Sequence, residues 1–208
     1  GYKQLKLVGG RPTIFMRETN GSANENFQIR VDGGSFQIQQ QDDGQNSAAN
    51  KLIIDQAGHV TMPSQPAFLV HKGDTDQNFN EDTYTTITWS TEVFDQASNF
   101  SSNTFTAPQT ARYQFNVRVR LDTIDADASY YVVRLNTSNR EFRHIIDTDS
   151  GTGSASDIQY LTLSIPIFCD MDANDTAIVE VYQQESGATQ SKIDGNDVYT
   201  QFSGFLVC

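Results

Sequence analysis

The sequence predicts an all-β protein, and three observations carry that expectation. Apolar and polar residues alternate with a period of two, as in Tyr113-Gln114-Phe115-Asn116-Val117-Arg118-Val119-Arg120-Leu121. That period places the apolar set on one face of a strand. The alternating runs are cut by Gly9-Gly10, Asn20-Gly21, Asp32-Gly33-Gly34 and Asp43-Gly44, which are turn and hairpin signals. An aromatic ladder runs Trp89, Phe94, Phe100, Phe105, Tyr113, Phe115 and resumes at Phe202 and Phe205. Such spacing calls for a sheet whose rings all stack into one sandwich core.

Composition narrows the function. The 208 residues suit one large β domain or two small ones, and only 19% are charged. Asn, Gln, Ser, Thr and Asp fill the gaps between short apolar runs, a mix that favours turns and strands over helices. Net charge is −12, a field that repels nucleic acid and anionic membranes. No segment approaches the apolar length of a membrane helix, so neither nucleic acid nor membrane insertion is expected. Gly1 stands where a complete chain would begin with Met, so a longer parent protein is expected.

Residues 1–64 read as a string of short strands. In order these are Leu5–Val8, Thr13–Arg17, Phe27–Val31, Phe36–Gln39, Leu52–Asp55 and His59–Met62, with Pro63 as the stop. Each offers two or three apolar side chains. A segment this small buries too little to offset its ordering entropy. Sharing a core with other copies is the physical remedy, so a short, intertwined trimeric β neck is expected here.

Residues 65–208 read as a larger β domain. Its strands are expected at Pro66–Val70, a strand pair over Thr85–Phe94, Tyr113–Leu121, Tyr130–Leu135, Glu141–Ile146, Ile158–Phe168, Ala177–Tyr182 and Val198–Val207.

Two resemblances add to this reading. Pro66-Ala67-Phe68, Phe94-Asp95, Phe100, Phe105, Tyr113-Gln114-Phe115 and Phe202-Ser203-Gly204-Phe205 resemble the globular head of the complement C1q and tumour necrosis factor superfamily. The resemblance implies a ten-strand jelly-roll β-sandwich (C1q/TNF-like) that assembles as a homotrimer and binds rather than catalyses. Trp89 stands where that pattern has Phe, Ala111 where it has Gly, and Val117 where it has an aromatic residue. The turn Asp172–Asp175 is similar to the family's Gly-Asp-x-Val corner, with Asn174 in the Gly place. Asn tolerates positive φ better than most residues. Upstream, Phe36–Gln39 and Lys51-Leu52-Ile53-Ile54-Asp55-Gln56-Ala57-Gly58-His59-Val60-Thr61-Met62-Pro63 resemble bacteriophage tail-fibre sequence. That resemblance implies a virion receptor-binding protein, joined to other tail proteins on its N-terminal side. The partner it implies is a host cell-surface glycan or protein.

The family topology implies that four connections meet at one end of the head: His71–Thr83, Asp122–Ser129, Asp147–Asp157 and Gly187–Asp197. The turns Thr137–Arg140 and Asp172–Thr176 fall at the other end. Loops on a rigid sandwich are where binding usually resides. The candidate receptor-binding residues are therefore Asp122, Asp125, Asp127, Tyr130, Asp149, Asp157, Asn196, Asp197 and Tyr199. For any one acid, a merely solvated surface is the competing reading.

The sequence offers little catalytic chemistry. His59, His71 and His144 make no metal spacing with one another. His144 and Asp147 are close enough in sequence to hydrogen-bond, with no nucleophile motif beside them. No cofactor is implied, and calcium held by carboxylates from three chains is the one metal reading left open. Cys169 and Cys208 are expected as free thiols, because the family's sheet order sets their strands two steps apart, beyond disulfide reach. Two alternatives stand beside the adhesin: a secreted C1q-related signalling or defence ligand, and a depolymerising tail-spike enzyme working through two carboxylates.

Overall fold

Strand alternation governs both halves of the chain. The computed structural model describes residues 5–19, 26–148, 158–184 and 191–207. The chain divides into two units, Gly1–Gln65 and Pro66–Cys208.

In the first unit β1 (Thr13–Met16), β2 (Asn26–Asp32), β3 (Ser35–Gln41), β4 (Ala48–Ile54) and β5 (Val60–Thr61) pair in chain order as an antiparallel meander. Gly33 and Gly34 take φ of 56° and 79° to close the β2–β3 hairpin. A two-residue turn with positive φ at both positions matches the twist of its strands. The register sets Ile14, Ile29, Ile38 and Leu52 in one cross-strand row. Val31, Phe36, Ile54 and Val60 form a second row on the same face, and Met16 and Phe27 begin a third. The reverse face carries Phe15 and Ile53 but is mostly polar, and its polar side chains bond to one another. Gln28 Nε2 donates to Gln39 Oε1, Gln39 Nε2 to Asn50 Oδ1 (2.6 Å), and Arg30 Nε to Gln37 Oε1 (3.1 Å). Leu5–Val8 is a correction: it carries no strand, and Leu5 is 82% exposed. No described strand pairs with it, so its backbone groups stay in water.

The second unit is a sandwich of two sheets. Its strands are β6 (Ala67–His71), β7 (Gln77–Asn78), β8 (Thr85–Thr86), β9 (Thr91–Asp95), β10 (Phe100–Ser101), β11 (Thr104–Thr106) and β12 (Ala111–Ile124). They continue with β13 (Tyr130–Thr137), β14 (Glu141–Asp147), β15 (Ile158–Met171), β16 (Thr176–Gln184), β17 (Lys192–Ile193) and β18 (Gln201–Val207). One sheet runs β10-β11-β16-β13-β14, with β8 also on β16; the other runs β7-β17-β12-β18-β6-β9, with β15 also on β12.

β12 buries Tyr113, Phe115, Val117, Val119 and Leu121, as its alternation requires. β15 buries Cys169, Ile167, Ile165 and Leu163 opposite the first four of these, and Met171 opposite Ala111. Among the described strands β15 pairs only with β12, so Pro166 removes no ladder bond on its open side. Phe68 is the hub of the core: its ring stacks on Phe100 at 4.9 Å and on Phe105 at 5.2 Å, and meets Phe202 edge-on at 4.9 Å. Full burial of a side chain of this size is worth about 1.5–3 kcal/mol. Asn174 has φ 74°, the conformation expected of a residue in the Gly place.

Three expectations in this unit are corrected. Phe94 and Phe205 are not core residues; they are 47% and 46% exposed. Phe205 lies one residue beyond the inward Gly204, so alternation turns it out. Phe94 opposes the outward Leu69, where the β6–β9 register shifts. Thr85–Phe94 is not a hairpin pair: β8 joins one sheet and β9 the other, and buried Ile87 lies in the crossing. The last strand starts at Gln201, not Val198. Asn196 Oδ1 accepts from the Val198 amide at 2.9 Å and the Asn196 carbonyl from Tyr199 and Thr200, which makes a turn there.

Candidate recognition surface of the head

Backbone pairing brings loops together at the end of the head remote from Pro66. Leu121 opposes Ile193, Lys192 opposes Asn78, and Tyr130 opposes both Asp147 and Gln184. Tyr131 ties the two sheets at this end. Its hydroxyl accepts from the Asp125 amide at 2.9 Å and lies 2.7 Å from Ser191 Oγ.

The candidate residues divide by burial. Asp122 and Asp125 are 8% and 4% exposed, and their carboxylates are used internally. Asp122 Oδ1 accepts from Arg120 Nε at 3.1 Å, and Asp125 Oδ1 accepts from the Asp127 amide at 2.8 Å. Asp127 and Asn196 are exposed; Tyr130, Asp197 and Tyr199 are half-buried. Asp197 Oδ1 accepts from the Gly73 amide at 2.7 Å, and its Oδ2 lies 3.6 Å from His71 Nδ1. Asp149 and Asp157 lie outside the described residues.

Arg120 was not singled out from the sequence, yet it organises one side of this end. Its guanidinium lies between the rings of Tyr199 (3.9 Å) and Tyr160 (4.5 Å) and pairs with Asp122 and Asp194. Beside it Lys192 Nζ donates to Asp76 Oδ2 at 2.6 Å, and the Gly195 amide donates to Asp76 Oδ1 at 2.9 Å. The Lys192 contact, then the amide, hold the Asp76 carboxyl below the usual carboxylate range.

A tyrosine cluster occupies the outer face of the other sheet. Tyr182 packs on Tyr84 at 4.8 Å and on Tyr130 at 6.0 Å, and the Arg134 guanidinium lies 3.4 Å from the Tyr84 ring centre. The Tyr182 hydroxyl has one proton between two acceptors, Asp82 Oδ1 (2.9 Å) and Gln184 Oε1 (2.7 Å). Burial, then the Asp82 carboxylate, push Tyr182 up to about 12. Of these residues only Tyr130 was a sequence candidate. The outward position of Tyr182 in an alternating strand was the one available signal for the rest.

Among the described residues no group of three or more His, Cys, Asp or Glu side chains is placed to hold a metal ion. His144 does not support a pairing with Asp147; its Nδ1 lies 3.4 Å from the Ser164 carbonyl oxygen. Cys169 is a free, buried thiol, which burial and then Asp170 push up to about 11. Cys208 lies outside the described residues.

No protein-family model and no curated protein matches the sequence. Solved structures do match the fold. The globular domain of zebrafish complement 1qA protein superposes with a TM-score of 0.50 at 16% identity, over 69% of this chain and 98% of that one. Murine APRIL gives a TM-score of 0.48 at 13% identity, over 69% of this chain and 99% of that one. Eiger TNF from S. frugiperda gives 0.47 at 14%, over 70% and 94%. At such identities the likeness speaks of fold alone, and the fold is an all-β, C1q/TNF-like jelly roll.

Proposed function

We propose that this chain is a ligand-like recognition protein of the extracellular space, which works as a homotrimer and binds a cell-surface glycan or protein without catalysing a reaction. One observation carries the reading: the outer face of the β15-β12-β18-β6 sheet. Phe168 and Phe205 flank Gln114 in one cross-strand row, and Pro166, Asn116, Ser203, Leu69 and Phe94 make the next. Phe168 remains 57% exposed. Exposed aromatic and apolar side chains spaced by uncharged polar ones on one face of a sandwich are what an assembly interface offers. Heads joined on this face carry their converging loops in parallel, and a weak site repeated three times gains avidity.

Light scattering tests the assembly. The reading expects a mass near three times 23.1 kDa, and a lower mass with unchanged circular dichroism for Phe168→Asp. A single-copy mass for the unaltered chain overturns it. An array of surface glycans and proteins tests recognition: retention that weakens in Tyr182→Ala supports the reading. Retention unaffected by Tyr182→Ala and by Asp127→Ala removes this end from it.

A bacteriophage tail fibre is the second reading, favoured by the residue 36–63 run and by a separate β unit ahead of the head. It shares the trimer and the adhesion and differs in its setting, on a virion. Adsorption of the chain to bacterial cells and not to animal cells would select it.

A further inference from the structure

We infer that the sheet of the first unit is itself an assembly surface, whose occupants are the same sheet in further copies of this chain. Its two faces are unequal. One face is mostly polar, with the Gln28–Gln39–Asn50 ladder at its centre and only Phe15 and Ile53 as large apolar members among its paired residues. The opposite face carries the apolar rows and leaves Ile14, Phe27, Val31, Phe36 and Val60 between 39% and 54% exposed. A sheet is stable when its apolar face is packed against something, so this face calls for a cover.

Charge and area select the occupant. The chain carries a net charge of −12, which opposes self-association through most surfaces. The paired residues of the three rows, completed by Gln40 and Ala49, bear no charge, so copies meet here without like-charge repulsion. Five strands spaced about 4.8 Å apart make a wall about 24 Å wide and about 20 Å tall. That is roughly 500 Å² per copy, so three copies together bury roughly 1,500 Å², shared among three contacts that close one common core. Three such walls close a prism with its axis about 7 Å from each wall, a little more than half the spacing of packed sheets. Phe27 and Phe36 supply the extra reach. The number three rests on the homotrimer proposed above; the self-association does not.

Covalent trapping in the full chain tests the inference. β3 is the central strand, so Ile38 faces the axis and Gln37 faces away. Single cysteines are placed at these positions as Ile38→Cys and Gln37→Cys, each with Cys208→Ser; buried Cys169 stays inert. A short bismaleimide is added, and each variant is also combined with Phe168→Asp. The expected result is chain-to-chain linkage for Ile38→Cys and at least tenfold less for Gln37→Cys, with linkage retained when the head face is broken. Equal linkage at both positions, or none at Ile38→Cys, overturns the inference. Absent linkage with a three-copy mass would leave the head trimer standing; linkage with a head that no longer self-associates would leave only the first-unit interface.

Discussion

Gly204 presses against Phe115 so closely that a Cβ at residue 204 would stand 2.5 Å from Phe115 Cδ1 and 2.8 Å from Phe68 Cε1. Both rings are buried at the hub of the core, so neither swings aside cheaply. Gly204→Ala is expected to destabilise the head by about 1–3 kcal/mol, the usual cost of overpacking. Chemical denaturation that shows no loss would mean that the β18 backbone shifts away freely.

Arg120 pairs with Asp122 and Asp194, both under 9% exposed, between two tyrosine rings. Removing the Arg120 cation takes the paired charge from both buried carboxylates, at a cost of about 3–5 kcal/mol. Arg120→Met is therefore expected to lower the melting temperature sharply. Adding Asp194→Asn to it should recover part of the loss. A double variant no better than the single one would show that the stacking on Tyr160 and Tyr199 matters more than the charge.

Tyr182 holds its proton up to about 12, chiefly by burial and next by the Asp82 carboxylate that accepts from it. Asp82→Asn removes the charge and keeps an acceptor. Its effect should appear in ultraviolet titration as one tyrosine ionising at lower pH than in the parent. An unchanged titration curve would mean that burial alone sets the value.

These groups also mark where sequence reading stops. β12 was legible because one residue in two is apolar from Tyr113 to Leu121, and a strand buried on one face has only one way to sit. The same logic misplaced Phe94 and Phe205. Aromatic identity suggested the core, while register, which sequence shows poorly, turned both outward. Leu5–Val8 had strand composition but no partner among the described strands. The site was less legible than the fold. Asp122 and Asp125 looked like exposed loop acids, and only the positions of Arg120 and the Asp127 amide show them engaged within the head. The Tyr84–Tyr182–Tyr130 cluster joins β13, β16 and the segment just before β8, so no spacing along the chain announces it.

Lys72 is 2% exposed, and its Nζ donates to Thr88 Oγ1 at 3.0 Å. Burial lowers its pKa from the ordinary 10.5, against a smaller opposing pull from Asp76. The unfolded chain therefore holds this proton more tightly than the folded one. Protonation favours unfolding, so this group's contribution to stability is least below the folded pKa and rises with pH until the unfolded value is passed. Lys72→Met keeps most of the volume and removes the buried charge. Its melting temperature is expected to exceed that of the parent at pH 7, with the gap narrowing as pH approaches 10.5. A variant that melts lower than the parent across that range would show that the Thr88 bond outweighs the cost of burying the charge.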